Sequence, residues 1–399
     1  MHAVDLAAAT DRLMSFLAVP GITGEEAKIG KALVAALKQA GVPARAIRFD
    51  DAHTRIPLPT QTGNLIVQLP GRGDLKTAPR LLFMTHMDTV PLCAGAVPKK
   101  QGRKITSAAK TALGGDNRTG CAVLVTLAAE LMRTKLAHPP LTLLFTVREE
   151  SGLWGARHVA LEDLGDITMG YNFDGRSAAH VTVGAVGADR WEVEIFGRAS
   201  HAGGAPERGI SSTLILAEAL CAVRKGGWFG KIEKNTGKGT SNVGPVSGAS
   251  GGSAGDATNV VTDYVQVKGE SRSHDAAFFK QITAAYKDAF TAAAASVTNS
   301  EGKAGRVKFT TRTDYYPFRM KDSQPVVRRA VAAVEAEGFT PDVRVANGGL
   351  DANWLVRRGI PTVTFGAGQN EVHTLDEWVD LNEFEAACSL VVRLATAGV

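Results

Sequence analysis

Cysteine is scarce in this 399-residue sequence, and no two of the four form a C-x-x-C pair: they are Cys93, Cys121, Cys221 and Cys388. This spacing argues against a disulfide framework and against a cysteine-based zinc site. Long apolar runs are also missing, since no stretch approaches the roughly 20 apolar residues that a membrane span needs. The N-terminal sequence has no basic segment ahead of an apolar core. We therefore expect no secretory signal and a cytoplasmic protein.

A strong excess of charge of one sign is absent as well. The formal net charge is +5, and no dense lysine and arginine run with interleaved aromatic residues occurs. Nucleic acid is therefore a poor candidate partner. Hydrophobic residues make up 44% and charged residues 21% of the chain, as in ordinary folded proteins. The length predicts a sizeable domain plus a second one.

Strand-like and helical segments alternate in the first part of the chain. Three short runs are strand-like, at residues 64–69, 80–85 and 141–147. Within the last two, residues 81–84 and 141–145 are almost continuously apolar, as strands buried on both faces are. Residues 120–133 have the pattern of a helix between two of them. Thr23 and Glu26 are spaced as a capping box ahead of a helix that runs to Gln39. The alternation predicts an α/β domain with a mostly parallel sheet flanked by helices.

The pattern changes near Gly187. Residues 191–196 alternate polar and apolar side chains, which is typical of a strand with one solvated face. Helical and strand-like segments then follow in turn, at residues 211–224, 263–269, 276–296 and 307–311. This order predicts a small ferredoxin-like α+β domain at residues 187–315. The first domain would then comprise residues 1–186 and 316–399.

His86 and Asp88 directly follow the apolar run at 80–85. Alternate residues of an extended chain project to the same side, so His86 can bind a metal while Asp88 hydrogen-bonds its other ring nitrogen. Asp116 follows Gly114 and Gly115 just before the predicted helix, where glycine gives the backbone freedom to aim a carboxylate inward. Each of these signals also has a structural explanation. For Asp116, the explanation is that an Asp just before a helix can be an ordinary N-cap.

Other predicted strands also end in acidic or imidazole side chains. Glu149 and Glu150 follow the run at 141–147, and as neighbours they point in different directions, so one can bind a metal while the other moves a proton. Asp174 lies where a short strand meets a glycine, and His373 follows the strand ending at Phe365. Packing alone does not explain why several strand ends of one α/β domain carry such groups. The set predicts a metal-dependent site.

These motifs resemble those of the co-catalytic zinc exopeptidase and deacylase family, which includes peptidase T, carboxypeptidase G and succinyl-diaminopimelate desuccinylase. The similar segments are Thr85-His86-Met87-Asp88-Thr89-Val90-Pro91, Gly115-Asp116-Asn117, Glu149-Glu150, Asp174 and His373. The resemblance runs essentially end to end and implies a zinc-exopeptidase-like mixed sheet with an inserted lid domain. The most similar branch is that of peptidase T, as the segments Tyr171-Asn172-Phe173-Asp174-Gly175 and His201-Ala202-Gly203 indicate. Asn347 and Leu350 depart from that branch's Arg-Gly-Gly-Thr-Asp-Gly, which leaves the peptide-length preference open.

The resemblance implies a site for two divalent metal ions. Zinc is expected first, and cobalt or manganese suits the same ligands. One ion would be held by His86 and Asp174 and the other by Glu150 and His373. Asp116 would bridge the two ions.

The resemblance also assigns the proton chemistry and one backbone feature. Glu149 would act as the general base, and Asp88 would orient the imidazole of His86. The peptide bond between Asp116 and Asn117 would be cis. The expected reaction is hydrolysis of an amide bond by a water molecule that gives up its proton to Glu149.

Three residues of the inserted domain match positions that contact substrate in the family. His201 would stabilise the oxyanion, Arg272 would bind a substrate carboxylate, and Asn259 would make a further polar contact. Closure of the inserted domain would complete the site. Some relatives form dimers through this domain, so a homodimer is left open.

Several functions remain open at the level of sequence. An aminopeptidase that acts on short peptides such as tripeptides is expected, and an N-acyl amino acid deacylase or carboxypeptidase would use the same motifs. A non-catalytic metal-binding paralogue is a third alternative, which the intact pair Glu149-Glu150 argues against. Dinucleotide binding is set aside because Gly114-Gly115-Asp116 lacks the G-x-G-x-x-G spacing.

Overall fold

The computed structural model of the chain describes residues 3–255 and 257–397. The chain forms two compact units. One consists of the residues up to Ala185 together with those from Arg319 onward, and the other is Val186–Phe318. Within the described part of the chain, no helix combines the length and the apolar character that a bilayer crossing requires.

A nine-stranded mixed sheet runs through the first unit. Eight strands lie in the spatial order Ile47–Phe49, Leu65–Leu69, Leu141–Thr146, Arg80–His86, Ile167–Phe173, Thr362–Phe365, His180–Ala185 and Phe318–Arg319, and the ninth, Asp342–Ala346, pairs with His180–Ala185. The four strands from Leu141–Thr146 to Thr362–Phe365 pair in parallel. Antiparallel pairs flank them on both sides. The predicted α/β class with a mostly parallel mixed sheet is confirmed.

Helices cover the central strands of this sheet. Every residue from Leu81 to Met84 is fully buried, as the continuous apolar run predicts for a strand covered on both faces. On one face, Leu82 and Met84 belong to a cluster that includes Leu355. The helices of the first unit are Leu6–Leu17, Ala27–Gln39, Ala52–Arg55, Gly115–Thr134, Trp154–His158, Pro325–Ala336, Ala352–Arg357 and Leu381–Thr396.

The capping box that the sequence predicts at Thr23 and Glu26 is wrong. The helix does begin at Ala27, but neither side chain caps it. The Thr23 hydroxyl hydrogen-bonds Ser151 at 2.8 Å. The buried Glu26 carboxylate accepts the N–H groups of Gly24 and Arg148 at 2.6 and 3.1 Å. Glu26 therefore turns away from its own helix to hold a distant turn.

A small four-stranded sheet in the first unit has no counterpart among the predicted elements. Its strands, in spatial order, are Gln369–Asn370, Trp378–Asp380, Lys104–Ser107 and Pro98–Gln101. These strands are two to four residues long and mostly polar. Such segments carry no clear alternation of apolar side chains, so the sequence pattern does not reveal them.

The second unit contains a five-stranded antiparallel sheet. Its strands lie in the order Gly230–Lys234, Gly237–Ser247, Tyr264–Ser273, Gly187–Phe196 and Arg306–Tyr315, with the helices Ser212–Lys225 and Ala276–Ser296. When Gly230–Lys234 is left out and the other four strands are numbered 1 to 4 along the chain, their order in the sheet is 2-3-1-4. That order is the ferredoxin-like arrangement. The hairpin at residues 230–247 is rich in glycine and lysine, and the sequence pattern missed it.

One face of this second sheet forms the core of the unit. Trp191, Val193 and Ile195 are buried in a cluster with Tyr286 and Phe290 of the long helix. The alternation that predicted a half-buried strand therefore corresponds to a real division between a core face and a polar face.

The first unit offers a test at Gly120, where the helix Gly115–Thr134 meets the strand ends. A Cβ at this position would lie 2.1 Å from Thr85 Oγ1 and 2.5 Å from the Phe173 carbonyl oxygen. We expect Gly120→Ala to lower the free energy of unfolding by about 1–3 kcal/mol, because backbone must shift to make room. The matched control is Gly348→Ala, which meets no atom within 4 Å. Urea denaturation of both variants measures this, and equal stability would contradict the close packing.

Candidate active site

The first unit brings His86 to the end of a central strand with its two ring nitrogens facing different partners. Nδ1 lies 3.1 Å from the backbone oxygen of Asp88 and 3.3 Å from its carboxylate. Nε2 lies 3.0 Å from Asp116 Oδ1. The contact through Nδ1 fixes the ring, so Nε2 is free to serve as a ligand atom.

Asp116 lies at an irregular start of the helix Gly115–Thr134. Gly114 adopts a left-handed conformation with φ 83°, and Asp116 and Asn117 have non-helical dihedral angles. The peptide bond between Asp116 and Asn117 is cis, as the family resemblance implies. The Asn117 side chain donates to the Phe173 carbonyl at 2.8 Å and accepts the Gly120 N–H at 3.0 Å. These contacts fix the turn beside the strand that leads to Asp174.

The pair Glu149 and Glu150 follows the strand Leu141–Thr146. The buried carboxylate of Asp88 accepts both of their backbone N–H groups, at 3.1 and 3.2 Å. Glu150 Oε2 lies 2.9 Å from His373 Nε2, and Glu149 Oε2 lies 3.9 Å from His86 Nε2. The two neighbours therefore face different imidazoles. Asp88 holds this backbone as well as the His86 ring, which is more than the sequence predicted for it.

Asp174 and His373 complete the cluster. Asp174 follows the strand Ile167–Phe173, and its Oδ1 lies 3.8 Å from His86 Nε2. His373 is half exposed and has a left-handed backbone, with φ 64°. It follows the short strand Gln369–Asn370 of the small sheet, which the sequence did not predict. All seven residues predicted for the catalytic and metal site of the first domain therefore lie together.

Two groups of these side chains could each hold a metal ion. One consists of His86, Asp116 and Asp174, and the other of Asp116, Glu150 and His373, with the ligand atoms of each group within 4.8 Å of one another. Asp116 belongs to both groups. Imidazole and carboxylate are the ligand types that zinc, cobalt and manganese accept. The buried acids outnumber the imidazoles, so divalent cations would also balance the charge.

The ionisable groups of the cluster perturb one another strongly. Burial raises the pKa of Glu150 to about 7 and that of Glu149 well above its usual range. Hydrogen bonds that His373 donates to Asp116 and Glu150 raise the pKa of His373 to about 10. Burial alone would raise the pKa of Asp116, but His373 and His86 lower it. Perturbation of this kind, in several adjacent groups, is typical of active sites.

The structure adds two buried acids, Asp351 and Glu377, for which no role was predicted. Asp351 accepts a hydrogen bond from the Thr146 hydroxyl, while its Oδ1 has no hydrogen-bond partner among the described residues. Burial raises the pKa of Asp351 to about 7. Glu377 accepts backbone N–H groups of the turn before Asp116. Asp351 ends the segment Asn347-Gly348-Gly349-Leu350-Asp351, which corresponds to the Arg-Gly-Gly-Thr-Asp-Gly motif of the peptidase T branch. The only signal for Glu377 in the sequence is its position four residues after His373.

The second unit contains the three residues predicted to contact substrate. His201 is exposed, and its Nδ1 accepts the N–H groups of Gly203 and Gly204 at 3.2 and 2.9 Å. Asn259 lies beside His201, because the Asn259 carbonyl accepts the Ala202 N–H at 2.8 Å. This unit therefore brings His201 and Asn259 together.

Arg272 lies apart from these two residues on the strand Tyr264–Ser273. Its Nε is 2.8 Å from a carboxylate oxygen of Glu270. Glu270 also pairs with Arg190. The guanidinium of Arg272 is therefore oriented by a carboxylate that it shares with a second arginine.

Two ligand groups around one shared carboxylate, with Glu149 beside them, form the arrangement of a hydrolase that uses two metal ions. The family model of peptidase family M20/M25/M40 matches residues 82–397, and the chain belongs to this family. The resemblance to peptidase T-like members is confirmed by solved structures. The aminopeptidase PepT from Bacillus cereus is 30% identical, with 98% of each chain covered and a TM-score of 0.81.

Two further proteins are similar over almost the whole chain. The structure of a tripeptidase from Staphylococcus aureus is 25% identical, with 99% of each chain covered and a TM-score of 0.85. The uncharacterized protein YqjE of Bacillus subtilis is 29% identical over 388 residues, which is 96% of each chain. The similarity therefore includes both units of the fold.

The shared carboxylate generates a prediction about metal binding. We expect the protein to bind two Zn²⁺ ions and Asp116→Ala to lose high affinity for both, whereas His373→Ala should keep one. His180→Ala, a histidine outside the cluster, is the matched control and should keep two. Titration of metal-free protein against a competing chelator measures the stoichiometry. Two tightly bound ions in Asp116→Ala would contradict the shared-ligand arrangement.

Proposed function

We propose that this protein is a zinc aminopeptidase that removes the N-terminal residue of short peptides, tripeptides included. The observation that carries the proposal is the position of Asp116 between two metal-binding groups, with Glu149 beside one of them. The similarity to an aminopeptidase and to a tripeptidase supports the substrate class.

The residues that would hold the ions are His86 and Asp174 on one side, Glu150 and His373 on the other, and Asp116 between them. This donor set fits zinc, and cobalt or manganese could replace it. Bound divalent ions would polarise the substrate carbonyl and lower the pKa of water in the site.

Glu149 is the proposed general base. Its backbone is fixed by the hydrogen bond to Asp88, and its carboxylate lies at the edge of the ligand cluster without being needed in either group. It would take the proton of the attacking water as the oxygen of that water adds to the carbonyl carbon. It would return the proton to the amine nitrogen as the C–N bond breaks.

The proposed roles of the second unit follow from the contacts within it. Because two backbone N–H groups donate to His201 Nδ1, the ring proton lies on Nε2, which can donate to a developing oxyanion. Arg272 offers a guanidinium already oriented by Glu270, which suits the carboxylate of a peptide. Asn259, next to His201, offers an amide. We propose that residues 187–315 act as a lid domain that supplies these three groups to the substrate.

A substrate panel tests the proposed function. We expect free-amine tripeptides to lose their N-terminal residue, and N-acetylated versions of the same peptides to be cleaved with kcat/KM lower by about 10- to 100-fold, as loss of a charged contact predicts. Mass spectrometry of the products identifies the bond cleaved. Preferential cleavage of N-acetylated amino acids would instead indicate a deacylase.

The general base has its own test. We expect Glu149→Gln to bind two Zn²⁺ ions as the wild type does and to lose about 10²–10⁴-fold in kcat, because the amide cannot accept the proton. The exposed Glu162 provides the control, since Glu162→Gln removes the same charge outside the cluster. Turnover of a tripeptide and metal content are measured on the same preparations. Unchanged turnover in Glu149→Gln would rule out this role.

A further inference from the structure

Glu377 is a buried acid whose carboxylate faces one turn of the backbone and also lies 3.9 Å from the Cys93 thiol sulfur. Its Oε2 accepts the N–H groups of Leu113 and Gly114, both at 2.8 Å, and its Oε1 accepts the N–H of Asp116 at 3.1 Å. The residue is only 3% exposed. Both carboxylate oxygens are therefore used by the segment that ends in Asp116. Glu377 lies in none of the metal-binding groups found among the described residues.

This turn needs a partner from outside. Leu113 and Gly114 precede the helix Gly115–Thr134, and Asp116 lies in its irregular first turn, so a regular helical hydrogen-bond ladder gives their N–H groups no acceptor. A carboxylate is the acceptor that the positive end of a helix favours. Glu377 supplies that acceptor from a distant part of the chain. The strand Trp378–Asp380 also packs closely on the turn, since a Cβ at Gly115 would lie 2.6 Å from Val379.

Glu377 also belongs to the segment that carries His373. The two residues are four positions apart, and the Glu377 N–H donates to the Thr374 carbonyl at 3.3 Å. One side of this short loop therefore presents the His373 imidazole, and the other holds the backbone of Asp116. His373 and Asp116 both belong to the second metal-binding group, that of Asp116, Glu150 and His373.

We propose that Glu377 is a positioning residue that sets the direction of the Asp116 carboxylate and couples it to the His373 loop. This inference rests on the proposed two-metal function. Because both metal-binding groups share Asp116, misalignment of its carboxylate weakens the binding of both ions together. The role differs from a general attraction of cations by negative charge, and the difference can be measured.

The test compares Glu377→Gln with Asp376→Asn, which removes the same charge at the neighbouring, exposed position. In the Gln variant an amide NH₂ replaces one oxygen and opposes a backbone N–H group. We expect the dissociation constants of both Zn²⁺ ions to rise at least tenfold in Glu377→Gln, measured by chelator competition. Asp376→Asn should match the wild type. The thermal midpoint of the metal-free proteins is recorded in parallel.

Each outcome decides between distinct explanations. Equal losses of Zn²⁺ affinity in Glu377→Gln and Asp376→Asn would show that Glu377 acts only by attracting cations through its charge. Weaker binding of only one of the two ions would show that the effect does not act through Asp116. Unchanged Zn²⁺ affinity in Glu377→Gln would also overturn the proposal. The proposed function would still hold if the wild-type protein binds two ions and cleaves peptides.

A second variant covers failure to fold. Glu377→Asp keeps the charge but is one methylene shorter, so it cannot reach all three N–H groups. If Glu377→Gln does not fold, the proposal requires a tenfold loss of affinity for both ions in Glu377→Asp. Loss of the fold in both variants would show that Glu377 supports the unit as a whole, and the positioning role would be rejected.

Discussion

The carboxylate of Asp116 lies between two imidazoles, with one oxygen 3.0 Å from His86 and the other 3.4 Å from His373. These contacts place Asp116 in both metal-binding groups, so the geometry of the site depends on how this one residue is held. The backbone that holds it is irregular and begins at a left-handed glycine. Asn117 anchors it to the end of a central strand.

The excess of negative charge in this site explains why it needs cations. Carboxylates concentrated out of water repel one another and favour protonation, as the raised pKa values of Glu149 and Glu150 show. Protonated His86 and His373 offset only part of this repulsion. Divalent ions would supply the remaining positive charge, and the same ions would provide the chemistry of hydrolysis.

Local patterns in the sequence predicted much of this arrangement. Buried parallel strands produce apolar runs, and their carboxyl ends meet at one edge of the sheet, which is why His86 and Asp174 could be placed together. Contacts made across the chain left no such signal. Thr23 and Glu26 match a capping box in spacing, yet Glu26 binds the turn at Arg148 instead. Short polar strands and the hydrogen bonds of Glu377 depend on tertiary packing and were not predictable from spacing.

X-ray anomalous scattering at the zinc edge, from crystals grown with Zn²⁺, can show whether two ions share Asp116. We expect two peaks, each about 2.0–2.2 Å from an oxygen of Asp116. One peak should also lie next to His86 and the other next to His373. A single peak, or a pair in which only one ion contacts Asp116, would contradict a shared aspartate.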